Sequence, residues 1–462
     1  MLRTLIVAFL LILNSCKSDD NNKILKVGIS ADYPPFDMMI EGEVTGIDAD
    51  VAKLIANELG YKLKIIEMDF ASLIPAINSG IIDFAISNIS KTDERAKIVD
   101  FTIPYYEAKS AFIYNKNLKI SNLTDAKKLI IGVQTGTVFE SSLLTKGFTK
   151  IKSLSRIPML LEELKSNRIN ILFLDRVQAE SILKNNPQFT LYEVTEIISG
   201  QAVIALPKNS SLTKDFNQVI DKYQKNGELN KITQKWFKFN FEDSKLFLGI
   251  FNVKHIEFIA KGIPLTIAYA ILSTLIGLII GLVITALANL NKICNFFIKS
   301  YVSILRGTPL ILQLSLIYFA LQKILGIQIS IFTAGVIAFS INSSAYISEH
   351  LRAGINAIDK GQLEACKALG MTKFMSLRLV IIPQAFVNII PSLINEMINM
   401  IKESSIISVL GALDIMRRAQ LISSETYDYL TPLIIAGCYY YILVTTLNFI
   451  LSIAEKKLKN RI

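Results

Sequence analysis

Three stretches of this chain run without a charged residue for longer than a globular core requires: 262–291 (30 residues), 324–348 (25) and 430–454 (25). A hydrocarbon core about 30 Å thick takes roughly 20 helical residues to cross, so each stretch can span a bilayer. Inside lipid the backbone must satisfy its own hydrogen bonds, which makes helix the expected form. Two more apolar segments are interrupted. One covers about 296–321, with Arg306 and Pro309 near its start; the other covers about 379–410, with Pro383, Pro391, Glu396 and Lys402. Five spans are therefore expected over 258–462.

The rest of the chain is of another kind. Overall the protein is 51% hydrophobic with a mean hydropathy of +0.43, and it has 22 Gly and 4 Cys. Those values exclude a disordered, collagen-like or disulfide-scaffold chain. The net charge of +10 would suggest nucleic acid if it were evenly spread. It is not: residues 17–240 hold 29 basic and 27 acidic side chains, whereas 241–462 hold 19 and 12. The excess lies in the apolar half, where a positive-inside bias would put it. With 17–240 outside, five spans leave the C-terminus inside. The inner segments then hold eleven basic residues, among them Lys292, Lys299, Arg352, Lys360 and Lys367, against Lys323, Arg417 and Arg418 outside.

Residues 1–16 read as an export signal, with Arg3 ahead of a nine-residue apolar core at 5–13 and a polar turn after Cys16. The end of this segment resembles a bacterial lipobox, which implies lipidation of Cys16; an uncleaved anchor is the other reading. Cys294, Cys366 and Cys438 have no metal-ligand spacing and read as small hydrophobes.

Over 24–240, short β-rich runs alternate with helical patterns, which implies parallel βαβ units. Strands are expected at 24–30, 63–68, 83–87, 129–133 and 171–174, and helices at 48–59, 72–78, 158–164 and 176–183. Two such blocks, 24–105 and 115–197, make two lobes. An extended run at 109–114 lies between them and a return strand at 201–206 follows. A chain that crosses twice between lobes forms a hinged cleft around a small molecule. A linker is expected at 241–257.

The motifs facing that cleft are Tyr33-Pro34-Pro35-Phe36, Gly46-Ile47-Asp48, Phe70 before Leu73-Ile74-Pro75, Ser87 to Arg95, Gln134-Thr135-Gly136-Thr137, and Leu174-Asp175. In this order they resemble the periplasmic amino-acid-binding proteins of ABC importers, a bilobal α/β fold of the type II periplasmic-binding-protein class. The chemistry suits a zwitterion. Arg95 offers a planar fork to a carboxylate, with Ser87, Ser90 and Thr137 as further donors. Asp175 at a strand end can accept from an ammonium, and it can equally cap the next helix. Tyr33 and Phe70 match the aromatic pair that sandwiches the side chain in that family; both could also be core aromatics. Ser30 stands where many of those proteins have an acidic residue. Gln134, Asp32 and Ser30 leave a polar pocket, and 134–137 resemble the arginine-binding branch. A polar amino acid is expected, arginine ahead of glutamine or histidine.

In the membrane half, Gly361-Gln362-Leu363-Glu364-Ala365-Cys366-Lys367-Ala368-Leu369-Gly370 within about 352–385 resembles the EAA loop of ABC-importer permeases of the polar-amino-acid branch. Arg306 to Leu310 and Lys402 to Ser405 match the same branch. The resemblance implies an all-α permease domain of the type I importer class, with Glu364, Ala365, Ala368 and Gly370 forming a cytoplasmic helix that docks in an ATP-binding partner. Ionisable residues at membrane depth are costly, so Glu396 and Lys402 are candidates for the translocation path, with structural pairing as the alternative. The chain contains no phosphate-binding Gly-rich loop and no Gly-Lys dipeptide, and its only histidines are His255 and His350. Nucleotide chemistry is thus expected on another chain, with no cofactor, metal, catalytic group or nucleic-acid partner here.

These features together point to a fused receptor–permease subunit in the bacterial cytoplasmic membrane. It would be multi-pass, with its binding domain outside, and paired most simply with a second copy. A ligand-gated channel or an exported sensor using the same bilobal domain is the rival. Neither rival accounts for the loop at 361–370.

Overall fold

The computed structural model describes residues 24–237 and 253–459, apart from 41, 108, 196, 198, 199 and 328. The signal segment with Cys16, and most of the expected linker at 241–257, lie outside the described residues.

The alternation of β-rich runs and helices closes into two five-stranded sheets. In the first lobe Ile24–Ile29 lies parallel to Lys62–Glu67 on one side and to Phe84–Ala85 on the other. Ala205–Pro207 enters antiparallel between Phe84–Ala85 and Val99–Phe101. The second lobe runs Ile151–Leu154, Ile131–Gln134, Ile171–Asp175, Ser110–Asn115, Phe189–Val194, with Ser110–Asn115 antiparallel to both neighbours. Each sheet is thus parallel except for one strand, the one that arrives from the other lobe.

Helices cover the sheets where the apolar period predicts them. Ile47–Glu58 buries Ile47, Val51 and Ile55 on one face and carries Asp48 and Asp50 in its first turn, where the helix dipole favours carboxylates. Leu212–Lys225 and Glu228–Phe237 bring Phe216, Ile220 and Trp236 back onto the first lobe's core. Fully buried rings such as Phe36, Phe84 and Phe216 each contribute about 1.5–3 kcal/mol by leaving water.

Two expectations are corrected. The run at 109–114 does not lie between lobes; it is the antiparallel strand Ser110–Asn115 of the second sheet. The return segment is two strands, not one. Gln201–Ala202 pairs with Tyr106–Glu107 in a two-stranded ribbon between the lobes, and Ala205–Pro207 joins the first sheet. An apolar run records burial, and it is silent about a change of partner halfway along.

Among the described residues of the membrane half, four helices are long and apolar enough to span, within Val253–Ala288, Ile331–Asn356, Lys373–Leu410 and Leu430–Ile453. The fifth expected span is a bent pair, Lys292–Gly307 and Leu310–Leu325, at 104° to each other. The break falls at Thr308-Pro309: Thr308 is extended at φ −116° and ψ 144°, as a residue before proline prefers. Helix Ile263–Ala288 packs closely on Ile331–Asn356 because Gly277 faces Ser343 and Gly281 faces Ile347, and the two glycines leave room for the helices to approach. A shorter helix, Ile415–Thr426, connects the last two spans and lies against the binding domain. One apolar cluster holds first-lobe Met68, Leu73 and Ile81 together with Tyr269, Tyr318 and Leu410 of the membrane half.

Candidate functional site: a closed cleft above a helical membrane domain

The cleft between the lobes is lined by Asp32, Tyr33, Phe70, Ser87, Asn88, Ser90 and Arg95 from the first lobe and by Gln134, Thr137, Val138 and Phe139 from the second. Of the nine ligand-binding residues expected, seven line it. Ser30 and Asp175 do not.

Arg95 sits on the short helix Asp93–Ala96, whose first turn is capped by the Thr92 side chain at 3.2 Å from the Arg95 amide. Its Nη1 donates to the Ser90 carbonyl at 2.9 Å, and its Nη2 crosses the cleft to the Gly136 carbonyl at 2.6 Å. Two of the five guanidinium N–H donors are thereby used, and the other three remain for a ligand. The guanidinium centre lies 5.5 Å from the Phe70 ring centroid, a cation–π distance. Burial pulls its pKa below the ordinary arginine value.

Thr137 caps helix Val138–Thr145, accepting from the Glu140 amide, while its own hydroxyl donates to the Gln134 carbonyl at 2.7 Å. Its hydroxyl proton is therefore not free for a ligand. Gln134 donates through Nε2 to the Ser155 carbonyl at 3.0 Å. Ser87 donates to Asp37 at 2.7 Å, beneath the cleft floor. Ser90 bridges in antiparallel fashion to Ala202 beside the hinge ribbon.

Asp175 is fully buried and takes the first of its two expected roles, that of a helix cap. Its Oδ1 accepts from the Val177 amide at 2.7 Å as the cap of helix Arg176–Asn185, while its Oδ2 has no partner. Burial pushes its carboxyl up to about 7, against the pull of the Val177 and Gln178 amides. Tyr33 touches the cores of both lobes, and its buried hydroxyl also lacks a partner. Ser30 donates to Asp32 Oδ1 at 2.7 Å. The carboxylate that reaches the cleft is thus Asp32, two residues after Ser30, and Arg156 Nη1 already faces its Oδ2 at 3.2 Å.

The loop at 352–385 forms helix Lys360–Ala368, capped at its start by Asp359, which accepts from the Gly361 amide at 2.6 Å. Glu364, Ala365, Ala368 and Leu369 are exposed and only Cys366 is buried. Gly370 ends the helix at φ +69°. Glu396 is buried and accepts from Ser343 Oγ at 2.8 Å, with His350 Nε2 at 3.9 Å, whereas Lys402, later on the same helix, is exposed. The structure therefore separates these two residues.

Sequence reasoning missed Asn88, Val138, Phe139 and, above all, Arg417. Asn88 has a signal only in hindsight: its amide is held at 2.6 Å by Asp48 and it takes φ +44°. Arg417 and Arg418, expected in an outer loop, lie on helix Ile415–Thr426. Arg417 is fully buried against Glu67 and Asp69 of the first lobe.

Residues 25–239 match the profile of bacterial extracellular solute-binding proteins, family 3, and residues 273–460 match that of the binding-protein-dependent transport system inner membrane component. The membrane half is 53% identical over 204 residues to a Rickettsia conorii permease protein provisionally assigned to glutamine transport, covering 44% of this chain and 94% of that one. It is 49% identical over 214 residues to an arginine transport system permease of Bacillus subtilis, covering 45% and 96%. The α/β half is 34% identical over 225 residues to an arginine-binding extracellular protein of Bacillus subtilis, covering 48% and 88%.

Proposed function

The chain belongs to the amino-acid ABC importers, a multi-pass inner-membrane protein that joins a family 3 solute-binding domain to a permease component, and from that premise we propose that it captures a polar amino acid outside the cell and passes it through its own membrane half. The carrying observation is Arg95, with three donors left over in a cleft lined by both lobes. It would take the ligand carboxylate, and Phe70 and Tyr33 would flank the side chain. Asp175 would turn its unpartnered Oδ2 toward the ammonium.

Arginine is the first candidate for the ligand. The relatives divide between arginine and glutamine, and Asp32 is a carboxylate a cationic side chain could share with Arg156. Energy would come from a separate ATP-binding subunit docked at Glu364, Ala365, Ala368 and Gly370. A second copy of the chain would complete the pathway, with Glu396 facing it, and no cofactor is needed on this chain.

Calorimetry of the full-length protein in lipid nanodiscs against arginine, glutamine and histidine tests the ligand assignment; binding of none of them removes it. The same experiment carries a pH prediction. Free Asp175 titrates near 7, and an ammonium partner stabilises its ionised form. Binding below that pH must therefore release a proton, and affinity falls as pH drops, by up to about tenfold per pH unit. An affinity that stays flat as pH falls through 7 excludes Asp175 from the ammonium site.

Lipidation at Cys16 is part of the same proposal, supported by the sequence 13–16 and the polar turn behind it. Labelled palmitate is expected on the wild type and absent from Cys16→Ser; equal labelling of both indicates a retained anchor.

A further inference from the structure

Two carboxyls lie together in the first lobe beneath the cleft floor. Asp37 and Asp48 are both 0% exposed, and among the described residues neither has an ion pair. They grip consecutive residues of the floor: Asp37 Oδ2 accepts from Ser87 Oγ at 2.7 Å, and Asp48 Oδ2 accepts from the Asn88 amide at 2.6 Å. Asp48 Oδ1 also accepts from the Tyr105 hydroxyl at 2.7 Å, at the start of the ribbon strand Tyr106–Glu107. The Asp48 amide donates to the Phe36 carbonyl at 3.1 Å, which keeps the two acids side by side. The carboxyl groups touch each other, yet Asp37 Oδ1 is buried and receives no donor.

Two carboxyls that meet away from water do not both ionise. The other charged side chain facing Asp37 is Asp32, which adds repulsion and is itself held by Arg156 at 3.2 Å. Burial, and then the Asp48 charge, raises Asp37 well above the ordinary carboxylate value. Burial raises Asp48 too, but the Tyr105 hydroxyl and the Asn88 amide favour its ionised form. A proton on Asp37 Oδ1 therefore gives the orphaned oxygen its partner. Ser87 then donates to Asp37, Asp37 donates to Asp48, and Asp48 accepts from Tyr105 and Asn88 as well. Ser87 and Asn88 both line the cleft, and Asn88 is held at φ +44°, a left-handed conformation that needs support from its surroundings.

We propose that Asp37 and Asp48 share one proton, carried by Asp37, and that this pair positions Ser87 and Asn88 for ligand binding. The positioning role rests on the reading of the cleft as an amino-acid site. The two acids then have unlike roles. Asp37 acts as a neutral group with one donor and one acceptor, which an amide can reproduce. Asp48 accepts from three donors at once, and an amide, with one oxygen and an N–H group in place of the other, cannot.

The test is calorimetry of the full chain in nanodiscs with L-arginine and L-glutamine as probes, joined to infrared spectra of the same samples at neutral pH. Asp37→Ala and Asp48→Asn are expected to raise Kd roughly ten- to hundredfold, the effect of leaving a buried donor unpaired. Asp37→Asn is expected to rescue the alanine variant and bring Kd back close to the wild type. In the infrared difference between wild type and Asp37→Asn, a carboxylic-acid carbonyl band is expected to disappear; loss of a carboxylate band instead overturns the shared proton. Equal losses of affinity in Asp37→Asn and Asp48→Asn, or no loss in either Asp37→Ala or Asp48→Asn, overturn the positioning role. Misfolding would lower the binding stoichiometry; if Asp48→Asn does so, the rescue at position 37 and the infrared band decide. Wild-type protein that binds neither probe overturns the amino-acid reading and the positioning role with it, and the infrared band still decides on the proton.

Discussion

Arg95→Ala abolishes amino-acid binding. The cleft offers an α-carboxylate one cation with donors to spare, and the guanidinium is already fixed by the Ser90 and Gly136 carbonyls at 2.9 and 2.6 Å. A side chain held in this way loses little further freedom when it grips a ligand, which is the benefit of preorganisation. Removing one partner of a buried charge pair costs about 3–5 kcal/mol, equivalent to two to four decades in Kd. The variant also loses the bond to Gly136, which joins the two lobes, so the upper part of that range is expected. Arg95→Lys separates the contributions. It keeps the charge and loses the fork, and should bind between the wild type and the alanine variant. Calorimetry that finds Arg95→Ala binding with wild-type affinity would remove this residue from the site.

Gly370→Val stops ATP-driven uptake and leaves amino-acid binding intact. Gly370 follows helix Lys360–Ala368 at φ +69°, and nothing lies within 4 Å of where its Cβ would stand. The obstacle is therefore conformational, not steric. A left-handed backbone costs an ordinary L-residue about 1–2 kcal/mol, and a β-branched one is the least tolerant. On an exposed helix the chain can escape that strain by unwinding its last turn. That turn holds Ala365, Ala368 and Leu369, the exposed face proposed to enter the ATP-binding partner. The cleft lies between the two lobes of the α/β half and takes no residue from this helix, so its affinity should not change. Uptake into proteoliposomes and co-purification of the ATP-binding subunit are the measurements. Wild-type rates of transport by the variant would sink the coupling role, since the helix would then tolerate a changed end.

The element boundaries show how far local patterning reaches. Helix 48–59 is expected and Ile47–Glu58 is found; strand 63–68 is expected and Lys62–Glu67 is found. Gly370 takes positive φ, as a glycine just past a helix end commonly does, and such a stop is written in a few consecutive residues. Asp175 was legible as a cap for the same local reason. The residues that line the cleft were legible as a group only through the resemblance of their motifs, since no periodicity places Phe70 beside Arg95.

By itself, the sequence determined the division into an α/β half and a helical membrane half, the positions of most strands, helices and spans, and the residue types able to hold a zwitterion. These follow from the spacing of apolar side chains, uncharged run lengths and turn chemistry, all of which act over a few residues. Only the tertiary structure decided which strand pairs with which, so that Ser110–Asn115 became part of the second sheet and 201–206 divided between two partners. It decided the 104° bend at Thr308-Pro309, where sequence could announce a break but not its angle. It put Asp32, and not Ser30, on the cleft wall. It also matched Arg417 to Glu67 and Asp69 across 350 and 348 positions of chain. A charged residue advertises that it needs a partner, and nothing in its neighbourhood along the chain says which one. That choice is made when the two halves pack and the buried cation must be satisfied.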